Sequence, residues 1–196
     1  MREVRTGVWH WQALHPEWMP EVDWEHMEVS SYAIDDGERL LLFDPLAAPD
    51  EIAALATERE TAIVLTSPWH QRDALDLAKR LDAPIYVPPP DRDPDPIGGV
   101  VFRAGDQLPI GVEAFPGRED PYDVVLYVES RGVVVAGDTL VDRGRGLEIL
   151  EEWLPAGVIR EQVVEGLLPL LDLPIELVLP THGPPADRAA LERALA

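Results

Sequence analysis

The residues of this chain able to do chemistry sit at the ends of apolar runs. Thr61-Ala62-Ile63-Val64-Leu65 leads into Thr66-Ser67-Pro68-Trp69-His70-Gln71-Arg72-Asp73, which brings an imidazole, a guanidinium and a carboxylate together in close succession. Gly132-Val133-Val134-Val135-Ala136 leads into Gly137-Asp138-Thr139-Leu140, and Val178-Leu179-Pro180 leads into Thr181-His182-Gly183. Arg118 follows Phe115-Pro116-Gly117. The end of a buried strand, where the chain turns out of the sheet, is where open α/β folds place their ligands. Three chemistries are compatible with this set. His70 and Asp73, three apart on a helical face, can form a pair in which the carboxylate orients the ring. His70, Asp138 and His182 can give one metal ion three ligands and leave a position for water. Arg72 and Arg118 can hold a carboxylate or phosphate by charge-assisted hydrogen bonds, with Trp69 beside them.

Each of these residues also has a plainer reading. Ser67 before Pro68 is what a helix start looks like, with the serine capping amide protons and proline at the first position. Trp69 then fills space, and Arg72 and Asp73 are exposed first-turn residues. For His70 the preferred plain reading is a ring that faces solvent or bonds locally, since helix geometry swings it away from its neighbours. Asp138 can cap the turn after its strand, and His182 can be held by a backbone carbonyl.

The elements that must position these residues alternate along the chain. Asp50 is expected to cap a helix beginning at Glu51, with Ile52, Leu55 and Ala56 on one face, and Leu77, Ala78 and Leu81 mark a second helix. Ile85-Tyr86-Val87, Val100-Val101-Phe102, Val112-Glu113-Ala114-Phe115 and Val124-Val125-Leu126-Tyr127-Val128 read as strands. Helices are expected around Leu147 to Trp153 and Ile159 to Leu171. Pro20 to Trp24 and Pro88 to Pro96 are the loop-like breaks. The second contains five prolines, excludes helix and central strand, and is expected to join the two halves of one domain.

Taken in order, these motifs resemble the metallo-β-lactamase superfamily. Val29 to Gly37 followed by Leu40-Leu41-Leu42-Phe43-Asp44-Pro45 is similar to its early hairpin ending in an Asp. Thr66 to Arg72 stands where the family has THxHxDH, so Ser67, Trp69, Gln71 and Arg72 occupy positions usually held by His, His, Asp and His. Arg118 takes the place of the His in the family's PGH. Gly137-Asp138-Thr139-Leu140 looks like the motif whose Asp bridges two metals, and the segment ending in His182-Gly183 resembles the one that supplies the last His. Asp138 and His182 alone keep a ligand of the usual type. The resemblance implies an α/β (α+β) fold, a four-layer αββα sandwich of two sheets packed face to face with helices outside, as one domain over residues 1–196. Ser67, Trp69 and Gln71 are poor or impossible zinc ligands, and the two arginines repel a cation. No metal cofactor is therefore expected; the alternative is one zinc or similar divalent ion on His70, Asp138 and His182.

Composition sets independent limits. The chain has 196 residues, 46% of them hydrophobic, enough for a sizeable core. Its 37 acidic against 16 basic residues give a formal net charge of -21, which disfavours nucleic acid phosphates and anionic lipid as partners. An anionic small molecule would need a local basic site, and Arg72 and Arg118 are the places to look. There is no cysteine, so thiolate chemistry is excluded. With no signal-like or membrane-spanning apolar run, a cytoplasmic protein is expected. The aromatic segment Val8 to Met19, continued by Trp24 and His26, is read first as packing and then as a lid or homodimer contact, with a metal role for His10 or His15 last.

The functional expectation is therefore a family-like protein without the usual dinuclear zinc site, binding a small anion through Arg72, Arg118, Trp69, His70 and His182. Two alternatives remain open: a mononuclear-metal hydrolase of ester, thioester or lactone-like bonds, with His70, Asp73, Asp138 and His182 as catalytic candidates, and a non-catalytic scaffold or dimerising protein.

Overall fold

A computed structural model of the chain describes residues 1–15 and 28–196. The expectations for Trp18, Trp24, His26 and the Pro20 to Trp24 break lie outside the described residues.

Seven strands form the first sheet in chain order: β1 (Arg2–Arg5), β2 (Val8–Leu14), β3 (Glu28–Asp35), β4 (Arg39–Phe43), β5 (Glu60–Val64), β6 (Ile85–Val87) and β7 (Val100–Val101). The first four pair antiparallel, and β4 to β7 run parallel. Parallel pairing needs a crossover, which α1 (Asp50–Glu58) and α2 (Ala74–Leu81) supply on either side of β5. The second sheet contains β8 (Gln107–Leu108), β9 (Val112–Pro116), β10 (Val124–Val128), β11 (Val133–Gly137), β14 (Leu177–Pro180) and β15 (Ala186–Asp187), in the order β15-β14-β11-β10-β9-β8. A small hairpin, β12 (Val141–Asp142) with β13 (Leu147–Glu148), and the helices α3 (Arg160–Leu167) and α4 (Arg188–Ala194) complete it.

Side-chain alternation along the strands builds the four layers. In β4, Leu41 and Phe43 enter a core shared with Leu126, Val128, Val133 and Val135 of the other sheet. Leu40 and Leu42 point the other way and pack with Ile52 and Ala56 of α1 and Ala74 and Leu77 of α2. The second sheet mirrors this: Val124, Leu126 and Val128 face inward, while Val125 and Tyr127 join Val163, Leu167 and Leu191 of α3 and α4. Strands buried on both faces read as unbroken apolar runs, which is how β4, β10 and β11 look in the sequence. The expected αββα sandwich is what the chain forms.

Several local expectations are corrected. Helix α1 starts at Asp50 after Pro49, with no side-chain cap, so Asp50 sits in the first turn with Glu51 and favours the helix dipole there. No helix spans Leu147 to Trp153. Asp142 Oδ1 accepts from the amides of Gly144 and Gly146 and closes the β12–β13 hairpin, and a single 3-10 turn, Glu151–Trp153, comes after it. The helix expected from Ile159 to Leu171 ends at Leu167 and continues as a 3-10 turn, Leu168–Asp172, because Pro169 cannot donate to the α-helical ladder. The proline-rich loop joins β6 to β7 of the same sheet rather than two halves of the molecule.

Of the aromatic segment, residues 8–14 form β2. Trp11 is buried and donates from Nε1 to Leu46 O at 2.7 Å, and His10 stacks on Tyr32 at 5.0 Å while its Nε2 meets Ser30 Oγ at 2.9 Å. Packing is the role these contacts describe. Burial, Arg2 and the terminal ammonium push the His10 pKa down to about 4.

Candidate functional site

The chemistry-bearing residues converge where β4, β5, β11 and β14 end. Asp44 comes after β4 with a positive φ of 44°, a conformation Asp tolerates better than most residues. Its backbone carbonyl accepts from Ser31 Oγ at 2.7 Å and from Arg72 Nη1 at 2.7 Å. Its carboxylate takes Thr66 N at 2.9 Å on Oδ1 and Thr66 Oγ1 at 2.6 Å on Oδ2. This holds the Oδ2 atom 3.1 Å from His70 Nδ1. The turn Pro68–His70 is a 3-10 turn capped by Ser67, whose Oγ accepts from Trp69 N. That turn leaves Trp69 exposed and brings His70 inward, where it is only 8% exposed.

On its other side His70 Nε2 lies 3.3 Å from Asp138 Oδ2. His182 Nε2 lies 3.5 Å from Asp138 Oδ1. The parallel pairing of β11 with β14 puts Gly137 opposite Pro180, which sets Asp138 and His182 at neighbouring strand ends. Gly137 has a φ of +55°, and a Cβ there would come within 2.9 Å of Thr66 Oγ1, so this position serves both the turn and the approach of the two sheets.

Arg118 occupies the third side of Asp138. Its Nη2 is 3.5 Å from Asp138 Oδ2, its Nε 3.2 Å from Asp123 Oδ2, and its Nη1 donates to Trp153 O at 2.6 Å. The guanidinium also lies 5.8 Å from the Trp153 ring centroid, a cation–π contact, and Trp153 meets the His182 ring edge-on at 5.3 Å. Thr139 Oγ1 donates to Asp123 Oδ2 at 2.9 Å and accepts from Arg118 N at 3.0 Å.

The charges are set by these contacts. Burial alone would discharge His70, but the carboxylates of Asp138 and Asp44 outweigh it and raise its pKa to about 10, so the ring is an imidazolium at neutral pH. Its Nδ1–H is shared between Asp44 Oδ2 and Thr66 Oγ1, which lies 2.9 Å away. For Asp138, burial favours the neutral acid, but His70, His182 and Arg118 prevail and hold it well below the usual carboxylate range. Asp44 is lowered in the same way, by His70 and Arg72 against burial. Asp123 goes the other way: burial and the neighbouring Asp138 charge raise it to about 7 despite Arg118. Its Oδ1 has no hydrogen-bond partner.

The sequence-derived residues thus fall into two groups. His70, Asp138, His182 and Arg118 come together. Asp73 does not join His70; its Oδ2 accepts from Ala47 N at 2.6 Å, and the carboxylates facing His70 are those of Asp44 and Asp138. Of the plain reading of His70, the solvent-facing half is corrected, since the ring is buried; it bonds locally to Thr66 and also across strands to Asp44 and Asp138. Arg72, at a φ of 39°, reaches back to Ser30 O and Asp44 O at 3.0 and 2.7 Å and ties β3 to the end of β4. Trp69 Nε1 donates to Asp91 Oδ2 at 2.8 Å and pins the proline-rich loop. Asp123 and Trp153 had no sequence signal beyond a lone acid at the start of an apolar strand and an aromatic residue after a glycine-rich turn. Asp44 was visible as the hairpin's terminal Asp.

The contacts around Asp138 are those of an ion-pair cluster. Both ring nitrogens of His70 are engaged, a guanidinium rests on Asp138, and the described residues hold no group of three or more His, Cys, Asp or Glu side chains arranged to take an ion. Among those residues no helix is long and apolar enough to cross a membrane.

Two facing sheets, helices on both outer faces and a site at these strand ends define the metallo-β-lactamase fold, and the chain is a member of that fold superfamily. It is similar to TTHA1623, solved in a di-iron-bound form, at 28% identity over 85% of this chain and 93% of that one, with a TM-score of 0.64. The mono-zinc form of the metallo-β-lactamase FIM-1 from Pseudomonas aeruginosa is 14% identical over 98% and 91% of the chains, with a TM-score of 0.67. The metallo-β-lactamase family protein TTHA1429 from Thermus thermophilus is 16% identical over 98% and 78%, at 0.63. No family profile matches the sequence, and no curated protein matches it.

Proposed function

We propose that this protein has exchanged the dinuclear metal centre of its fold for a cluster of protein cations and binds a small anion there. Arg118 carries the reading: it stands at a position the superfamily gives to a metal-binding His, and its guanidinium faces the carboxylate of Asp138. The carboxylates of Asp44 and Asp138 face the cations His70, Arg72 and Arg118. In a chain of net charge -21 such a gathering of buried cations is a local attractor for anions. Elemental analysis of protein purified without a histidine tag, before and after dialysis against zinc, tests the first half. Calorimetric titration with acetate tests the second. The reading expects no stoichiometric metal, and acetate binding that Arg118→Gln abolishes.

A second reading starts from the nearness of Asp138 to the two imidazoles, 3.3 and 3.5 Å, whose direct contacts would have to open to admit an ion. In it His70, Asp138 and His182 hold one zinc or similar divalent ion, which when bound supplies a water of lowered pKa for hydrolysis of an ester, thioester or lactone-like bond. About one metal per chain, lost in His182→Ala, would establish this reading and overturn the first. The scaffold reading draws support from Val100 and Val101, exposed to 52% and 47% on the edge strand β7, and predicts a dimer in light scattering. We further infer, from the charge and the absence of cysteine, a cytoplasmic protein without nucleic acid or membrane partners.

A further inference from the structure

We propose that a second ligand site, apart from the charged cluster, lies at the edge of the sandwich between β2 and the turn after β14, and that it takes a hydroxylated carboxylate of the sugar-acid class. A cleft of about 450 Å³ opens there, within the size range of small-molecule sites. Arg2, His10 and Gln12 of the first sheet line it, with Gly183 and Pro184 of the turn. None of His70, Arg72, Arg118, Asp138 and His182 does. The strand registers explain why polar side chains gather at this place. Residues directly opposite one another, and residues two apart along a strand, share a sheet face. Val8 and Tyr32 lie in the core between the sheets, and His10 stands two after Val8 and opposite Tyr32, so it faces the same way. Arg2 opposite His10 and Gln12 beyond it follow. An inward face that is apolar at Val8, Ile34 and Leu41 thus turns polar beside the turn that follows β14.

The lining selects the ligand. In a chain with 37 acidic against 16 basic residues, no Asp or Glu is among the described residues that line the cleft. Its one guanidinium, Arg2, makes no ion pair with the described residues, whereas Arg5 at the other end of β1 is paired with Glu176 at 2.5 Å. A guanidinium in an acid-free cleft offers a planar fork to a carboxylate and repels an ammonium group. A phosphate has three terminal oxygens to satisfy, more than one arginine and one amide supply. His10 selects hydroxyl groups. Ser30 gives its one proton to Gly183 O at 3.2 Å, so its oxygen accepts from His10 Nε2 at 2.9 Å. The ring is then the tautomer whose Nδ1 carries a lone pair, and burial and the Arg2 guanidinium across the strand pair disfavour a second proton. That nitrogen has no partner among the described residues and can accept from a hydroxyl, while the Gln12 amide both gives and takes. Ser30 also donates from its amide to Thr181 O at 2.8 Å, which ties the strand side of the cleft to the turn side and pre-forms it.

Calorimetry with gluconate, glucose and inorganic phosphate on the full chain tests this, in wild type, Arg118→Gln, Arg2→Gln and Gln12→Leu, with the His10 ring followed by NMR. Arg2 and Gln12 are exposed, so neither substitution disturbs the core. The expected result is that gluconate binds wild type and Arg118→Gln alike and shifts the His10 ring resonances. Arg2→Gln should weaken it roughly tenfold and Gln12→Leu roughly threefold. Glucose, which keeps the hydroxyls and lacks the charge, should bind roughly tenfold more weakly than gluconate. Gluconate binding that disappears in Arg118→Gln would move the ligand to the charged cluster and overturn the second site. Glucose or phosphate bound as tightly as gluconate would overturn the sugar-acid assignment. An affinity unchanged in Arg2→Gln, a His10 ring that does not respond, or no gluconate binding would overturn the site itself. Acetate binding at Arg118 is read separately, so failure here and failure of the anion-binding reading are told apart.

Discussion

Asp44 Oδ2 and His70 Nδ1 lie 3.1 Å apart in a buried contact that joins the end of β4 to the turn after β5, and the same imidazole reaches Asp138 from its other nitrogen. One protonated ring thus bridges the two sheets.

Removing one side of that bridge should be costly. Asp44→Asn leaves the Thr66 contacts largely intact but takes a charge from a buried pair, which typically costs about 3–5 kcal/mol. Urea denaturation should register the loss, and the His70 ring, followed by NMR, should titrate well below its wild-type value of about 10. An unchanged titration in the variant would contradict the assignment of Asp44 as a holder of the charge.

The pH dependence of stability has a definite sign at His70. Its folded pKa of about 10 exceeds the usual 6.5, so its stabilisation is complete below about pH 6.5 and is lost as pH rises toward 10. Thermal denaturation of the wild type should show this alkaline decline, and His70→Gln should flatten it.

Asp123 adds a separate limb. Its pKa is raised from 3.8 to about 7, so the folded state binds more protons than the unfolded chain between those values and stability falls as pH rises through them. Asp123→Asn, which retains an acceptor for Thr139 and cannot ionise, should remove that fall. A melting profile from pH 4 to 7 that is the same in wild type and variant would show that Asp123 does not titrate there.

Gly137 is a structural test of the sheet-to-sheet approach. Gly137→Ala forces a Cβ to within 2.9 Å of Thr66 Oγ1 at a φ of +55°. A loss of about 1–3 kcal/mol is expected from the left-handed backbone and the crowding together. Denaturation midpoints compared with Gly144→Ala, where a Cβ meets open space at a φ of +87°, separate crowding from backbone strain.

The sequence by itself determined the layers. Apolar runs such as Leu40 to Phe43 and Val124 to Val128 can only be strands covered on both faces, and amphipathic stretches such as Ala74 to Leu81 can only be their cover, because local periodicity reports which faces must leave water. It also determined the strand-end positions of Asp138 and His182. It misjudged Leu147 to Trp153, where apolar residues without a clear period become half of a hairpin once Asp142 ties the glycine turn. What only the tertiary structure decided is which charges meet. His70 pairs with Asp44, 26 residues away, rather than with Asp73 on its own segment, and Arg118 and Trp153 close over Asp138 from separate loops. Burial is the physical reason. A charge out of water takes whichever partner the packed strands bring within reach, and that choice depends on parallel registers and sheet contacts that no local pattern encodes.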